Sequence, residues 1–215
     1  MKNSFIISAI ITTLVLIYLF RKPLKKTAME AKNIVYKKTT IEPFYKKYLP
    51  FAQEAEKITK VPALVTMAQS ALESGFGKSA PNFNFFGHKA DKNFKGDRQL
   101  LRTSEILPSS DKSIYKFPEV ITITPYLDSS GKQRRDSKNR LLFRWVVKDY
   151  FRSYKTPLEA FIAHGNFLVN NRRYKNAFLQ ATPENFAIEV AKAGYATDPN
   201  YSNKLLNLIS SFKNL

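Results

Sequence analysis

Ala71-Leu72-Glu73-Ser74-Gly75-Phe76-Gly77-Lys78-Ser79, with the turn Asn84-Phe85-Phe86-Gly87 shortly after it, is the stretch on which the reading of this chain turns. Upstream of it, Leu64, Met67, Ala68, Ala71 and Leu72 recur at i, i+3, i+4, i+7 and i+8, the spacing of one buried helix face. Pro62 suits the first helical position and Gly75 the stop. Glu73 therefore falls in the last helical turn. There the negative end of the helix dipole disfavours an ionised carboxylate, and apolar neighbours such as Leu72 and Phe76 add desolvation. Both effects push its pKa upward, toward an acid able to protonate a leaving oxygen. On position alone, a solvated helix-end carboxylate is an equal alternative.

The nonapeptide, continued through Asn84-Phe85-Phe86-Gly87-His88-Lys89-Ala90, closely resembles the signature of the bacterial glucosaminidase family of peptidoglycan hydrolases, glycoside hydrolase family 73. The resemblance runs from about Tyr45 to the C-terminus. It implies that Glu73 is the catalytic acid of a glycosidase, with no cofactor and no metal.

Beyond the turn, helical periodicity is lost over residues 91–150, and strand-like pieces such as Ile121-Thr122-Ile123-Thr124 and Phe143-Arg144-Trp145-Val146-Val147 alternate with turn-formers. A small β-lobe is predicted there. A glycosidase commonly uses a second carboxylate, to activate water or to stabilise the cationic centre. Family members carry a Thr-x-Glu in the first strand of this lobe, and the match here is Thr103-Ser104-Glu105 after Phe94-Lys95-Gly96. Glu105 is thus the implied partner, with Glu119, Asp128 and Asp149 as fallbacks. The chain departs from the family pattern between Leu107 and Tyr150, a basic insertion before Phe151-Arg152-Ser153-Tyr154. An elaborated solvated hairpin is the plainer reading of it, an extended glycan groove or a partner surface the other.

Thr156-Pro157-Leu158-Glu159 reads as a capping box opening a helix whose mostly apolar face holds Ala160, Phe161, His164, Phe167 and Leu168. On such a face His164 is read as a core histidine. A further helix begins at Thr182-Pro183. The loop Gly194-Tyr195-Ala196-Thr197-Asp198-Pro199-Asn200-Tyr201 matches the family's Gly-Tyr-Ala-Thr-Asp-Pro-x-Tyr, which implies that Tyr195 acts beside the catalytic acid. Phe76, Asn84, Phe86 and Tyr201 are expected to line the substrate groove. Leu205, Leu206, Leu208, Ile209 and Phe212 mark the inner face of a last helix.

Ser4 to Phe20 carries no charge and is just long enough for a membrane span. The expected organisation is an anchor over residues 1–20, a basic juxtamembrane linker over 21–44 with a short helix near Ala28 to Tyr36, and a catalytic domain over 45–215. Only Lys2 precedes the span, whereas Arg21, Lys22, Lys25, Lys26 and Lys32 follow it, so the positive-inside rule places the domain in the cytoplasm. A wall hydrolase must face the wall. Either the rule fails here or the membrane is one to which it does not apply, such as the inner membrane of a virion.

The 215 residues carry a net charge of +18, which draws the chain to polyanions without choosing among nucleic acid, lipid headgroups and cell wall. No nucleic-acid fingerprint is present, so no specific nucleic-acid partner is expected. Absence of cysteine excludes disulfides and thiolate chemistry, and two distant histidines make no metal pair. The fold expected is mainly α, a lysozyme-like helical domain with a small β-lobe, preceded by one N-terminal transmembrane helix. The activity implied by the resemblance is that of an endo-β-N-acetylglucosaminidase acting on peptidoglycan glycan strands. The rivals are a lytic transglycosylase, which needs one acid only, and a catalytically silent membrane protein that binds glycan or nucleic acid.

Overall fold

The computed structural model describes residues 29–215. The predicted span over residues 4–20 lies outside them, and among the described residues no helix is long and apolar enough to cross a membrane. The main elements are α1 (Glu42–Thr59), α2 (Ala63–Ser74), β1 (Arg98–Leu107), β2 (Glu119–Pro125), β3 (Phe143–Arg152), α3 (Pro157–Asn170), α4 (Pro183–Lys192) and α5 (Tyr201–Lys213). The end of the expected linker is helical. Residues 29–36 form a helix that runs through a π-turn at Lys37–Ile41 straight into α1. Lys37 donates to the Asn214 carbonyl, and the Tyr36 ring meets Phe76 edge-on, so this segment is docked on the domain.

Helix α2 is the axis of the helical lobe. The predicted single apolar face understates it: Ala63, Val65, Thr66, Met67, Ala68, Gln69, Ser70, Ala71 and Ser74 are all buried, and Leu64 and Leu72 are half-buried. A helix buried nearly all round is one that other helices enclose, here α1, α3, α4 and α5. Pro62 sits at the N-cap in extended backbone, one residue earlier than expected. Gly75 closes the helix in the left-handed region (φ 57°), which glycine enters without strain. In α1, Tyr48 and Ala55 are buried, whereas Ile58 points outward. At Gly165 the backbone of α3 crosses α1 so closely that a Cβ would lie 2.5 Å from the Thr59 side chain.

The capping box forms with a variation. Thr156 accepts from the Glu159 N–H, while the Glu159 carboxylate takes the N–H of Lys155. Thr182 caps α4 in the same manner, accepting from Asn185.

The β-lobe is a three-stranded antiparallel sheet in the order β1-β3-β2, with β1 paired to β3 from Arg98↔Arg152 to Leu107↔Phe143. Its core is Trp145 and Val147; the Trp145 indole N–H donates to the Ser109 carbonyl at 2.8 Å, and Tyr115 and Phe117 pack on the ring. The insertion supplies β2 and an arm over residues 126–142. Two tight turns shape that arm, each folded around an aspartate whose Oδ1 accepts backbone N–H groups: Asp128 from Ser130 and Lys132, Asp136 from Lys138 and Arg140.

The lobes are joined through the turn at Asn84. Its amide donates to the carbonyls of His88 and Arg152, and its carbonyl accepts from the His88 N–H. Lys89 then bridges to Phe151 of β3.

Candidate active site

Glu73 stands in the last turn of α2, four residues after Gln69 and on the same helical face. Its side chain is open to solvent on one side. Its carboxyl is nonetheless enclosed enough that burial raises its pKa above the usual value, and a hydrogen bond from Tyr201 opposes part of that rise. Its Oε1 accepts from the Tyr201 hydroxyl at 3.1 Å.

Tyr201 opens α5, and the Tyr195 ring stacks on it at 5.6 Å. Burial holds both phenols well above their ordinary pKa, so both remain protonated donors at any working pH. For Tyr195 the nearby Glu73 carboxylate adds to the rise. The structure thus brings Glu73, Tyr195 and Tyr201 together, as three of the predicted site residues. Tyr201, however, is only 4 % exposed, and its hydroxyl meets the acid.

The other residues expected to line the groove have structural work. Asn84 is buried and both ends of its amide are occupied at the turn joining the lobes, which leaves nothing for substrate. Phe86, also buried, lies flat on His164, with centroids 3.7 Å apart. Phe76, in the left-handed region (φ 59°), packs on Phe44 and Tyr36. An open groove lies beside Phe167, between the end of β3 and α3; Arg152, Asn166, Asn170 and Arg172 line it too.

Glu105 belongs to a separate cluster on the β-lobe. Its carboxylate pairs with Lys89 at 2.7 Å, and the same ammonium reaches Asp149 at 3.0 Å. Burial acts to lower the Lys89 pKa, and the hydrogen bonds and charges of the two carboxylates more than offset it, so the ammonium is held above its usual value. Among the fallback carboxylates, Glu119 pairs with Lys148 and Asp128 is spent on its own turn; Asp149 alone shares a centre with Glu105.

Gln69 and Lys89 are the site residues that the sequence reading did not assign. Gln69 had one signal, a polar side chain within an otherwise apolar helix, one turn before the acid. For Lys89 there was none beyond its place in the motif.

His88 and His164 pack in one aromatic stack, 5.6 Å apart, with Phe86 and Phe167. Burial lowers His88 to about 4, helped by Arg152, and holds His164 well below its ordinary value, helped by His88. Both are neutral in the fold, whereas an unfolded imidazole protonates near pH 6.5. Between those limits the unfolded chain binds the extra protons. Stability is therefore full above about pH 6.5 and falls as the pH drops toward 4, by roughly 3 kcal/mol for His88. Urea midpoints measured from pH 7 to 4.5 should fall steadily, and His88→Gln should flatten the slope.

Two lobes about a central helix that ends in an enclosed carboxylic acid form the layout of a lysozyme-like glycoside hydrolase. The family model described as "Mannosyl-glycoprotein endo-beta-N-acetylglucosaminidase" matches residues 49–214, and the chain belongs to this glucosaminidase family. It is similar to the peptidoglycan hydrolase FlgJ of Escherichia coli K12, 33% identical over 171 residues that cover 76% of this chain and 44% of that protein. The exo-glucosaminidase LytG of Bacillus subtilis is 26% identical, over 73% of this chain and 46% of its own length. The chain thus spans less than half the length of these relatives. Among solved structures, the glycoside hydrolase domain of Salmonella typhimurium FlgJ superposes with a TM-score of 0.59 at 28% identity, covering 82% of this chain and 90% of that one.

Proposed function

We propose that this protein is a peptidoglycan hydrolase that cleaves the β-1,4 bond between N-acetylglucosamine and N-acetylmuramic acid. The observation that carries the proposal is Glu73: an acid at the end of the central helix, its pKa raised by burial, with one oxygen bonded to Tyr201. Glu73 protonates the leaving glycosidic oxygen. Tyr195 stands against Tyr201 and holds the sugar at the reacting centre. Glu105, with Asp149 on the same Lys89 ammonium, is the carboxylate of the β-lobe that activates water or stabilises the cationic centre.

The pairing of Glu105 with Lys89 also favours a second reading. The Glu105 carboxylate is engaged with an ammonium instead of standing free for water, and a lytic transglycosylase has no need of a second carboxylate. The reading further places residues 4–20 in a membrane as an uncleaved anchor. The helical segment from residue 29 onward, docked on the catalytic domain, then sets that domain close to the bilayer, facing the wall of a cell or carried in a virion.

The test is digestion of purified peptidoglycan by the full chain, beside Glu105→Gln, with mass spectrometry of the sugar ends. Reducing N-acetylglucosamine ends, lost in Glu105→Gln, are the expected result. Anhydro ends that survive the substitution establish the transglycosylase, and wild-type protein that binds the polymer without cutting it overturns both readings.

A further inference from the structure

Gln69 has no exposed surface, yet it lies at the middle of the most enclosed helix of the domain. A buried primary amide is tolerated only if its two unlike ends find partners. Its Oε1 lies 2.9 Å from His164 Nε2, and its Nε2 donates to the Tyr201 hydroxyl oxygen at 3.1 Å. Tyr201 in turn donates to Glu73 Oε1 at 3.1 Å. Four side chains from α2, α3 and α5 thus form one unbroken row of hydrogen bonds, from the core to the acid.

The direction of that row is set at its buried end. His164 Nδ1 has no hydrogen-bond partner, so a proton placed there would be an orphaned N–H, a rarer and costlier state than an unmatched lone pair. The proton therefore sits on Nε2 and points at Gln69. That turns the amide oxygen toward the histidine and the amide N–H toward Tyr201. Having received that N–H, the Tyr201 oxygen offers its own O–H onward to Glu73. Phe86, flat against the imidazole at 3.7 Å, keeps the ring from turning over and water from reaching it.

The opposite tautomer would reverse every bond. With Nε2 as acceptor, the amide flips, the tyrosine hydroxyl turns back to the amide oxygen, and Glu73 Oε1 loses its donor.

We propose that His164 and Gln69 are positioning residues that, through Tyr201, determine which oxygen of Glu73 carries the transferable proton. Oε1 is capped by a donor, so the proton is confined to Oε2, the oxygen that Tyr201 leaves free. This inference rests on Glu73 being the general acid. The titratable and charged groups facing this row are Tyr195, with Tyr174 and Arg173 beyond it, and His88 behind Phe86.

The experiment compares the full chain with Tyr201→Phe, His164→Leu, His164→Gln and Gln69→Met. Glutamine at 164 places an N–H donor near the Nε2 position; methionine at 69 keeps the length and removes both bonds. The Glu73 carboxyl is titrated by ¹³C NMR, its signal assigned by its loss in Glu73→Gln, and kcat and KM on peptidoglycan are followed against pH. A weaker donor to a carboxylate raises its pKa. Tyr201→Phe should shift the Glu73 titration upward most, His164→Leu and Gln69→Met less. The alkaline limb of kcat should move with it, kcat should fall about tenfold with KM little changed, and His164→Gln should recover most of the loss. Melting curves show which variants are folded; Gln69→Met carries the test if His164→Leu is not.

A folded His164→Leu or Gln69→Met with the wild-type Glu73 titration overturns the inference. Because the NMR titration needs no substrate, a wild-type chain that fails to cut peptidoglycan refutes the hydrolase reading separately.

Discussion

Glu73→Gln should lower the rate of peptidoglycan cleavage by about three orders of magnitude, with no loss of folded protein. Glutamine has the shape of the glutamic acid it replaces and can still accept from the Tyr201 hydroxyl. What it lacks is a proton to give. The barrier it must then cross includes departure of an unprotonated sugar alkoxide, which the enclosed acid otherwise avoids. The α2 terminus should not suffer, because Gly75 closes it with its own backbone N–H to the Ala71 carbonyl and does not depend on residue 73. Burial of the acid raises its pKa, so the variant should also lose the alkaline limb that Glu73 gives to the wild-type rate profile. Initial rates of muropeptide release, with a urea melt of the same preparation, check both halves. A variant that retains a tenth of the activity would remove Glu73 from the chemistry.

Phe85→Ala should cost about 4 kcal/mol of stability and lower the melting temperature by about 10 °C. Phe85 is 1 % exposed and meets five other rings: Phe44, Tyr48, Phe83, Phe86 and Phe161. Those rings come from α1, α3 and the turn itself, so no single element can relax into the space left behind. Against a typical domain stability of about 5–15 kcal/mol this is a large fraction. Activity should fall further than the folded fraction accounts for. Phe85 seats the turn whose next residues are Phe86, the cover of His164, and Lys89, the clamp of Glu105 and Asp149. Phe85→Leu, which keeps most of the volume, should lose about 1 kcal/mol and nearly full activity should remain. Thermal denaturation and single-temperature rates on the three proteins separate the two effects.

Local patterns carried much of the architecture. Pro62 and Gly75 bracket α2 because proline and glycine restrict or free the backbone wherever they stand. Thr156 and Thr182 mark helix starts because a hydroxyl caps N–H groups only two or three residues away. The strands at 121–124 and 143–147 were legible from alternation and β-branched residues, and the motif around Glu73 drew attention to the acid. The span at residues 4–20 was read from apolar length alone.

What short-range pattern misread was the company each side chain keeps. Asn84 and Phe86 look like groove residues beside a catalytic motif, but a turn that must join two lobes uses its amide and rings internally. His164 reads as a core histidine and is one, yet its bond to Gln69 ties it to the acid 91 positions earlier in the chain.

By itself the sequence determined where helices start and stop, that a β-lobe interrupts them, and which glutamate could serve as the acid, since all of these depend on neighbours within a few residues. Only the tertiary structure decided that Tyr201 caps that acid, that Gln69 and His164 stand behind the tyrosine, and that Lys89 holds Glu105 to Asp149. Those are contacts between residues 16 to 132 positions apart, and a hydrogen bond 3 Å long is set by how helices and strands pack, not by the order in which they are written.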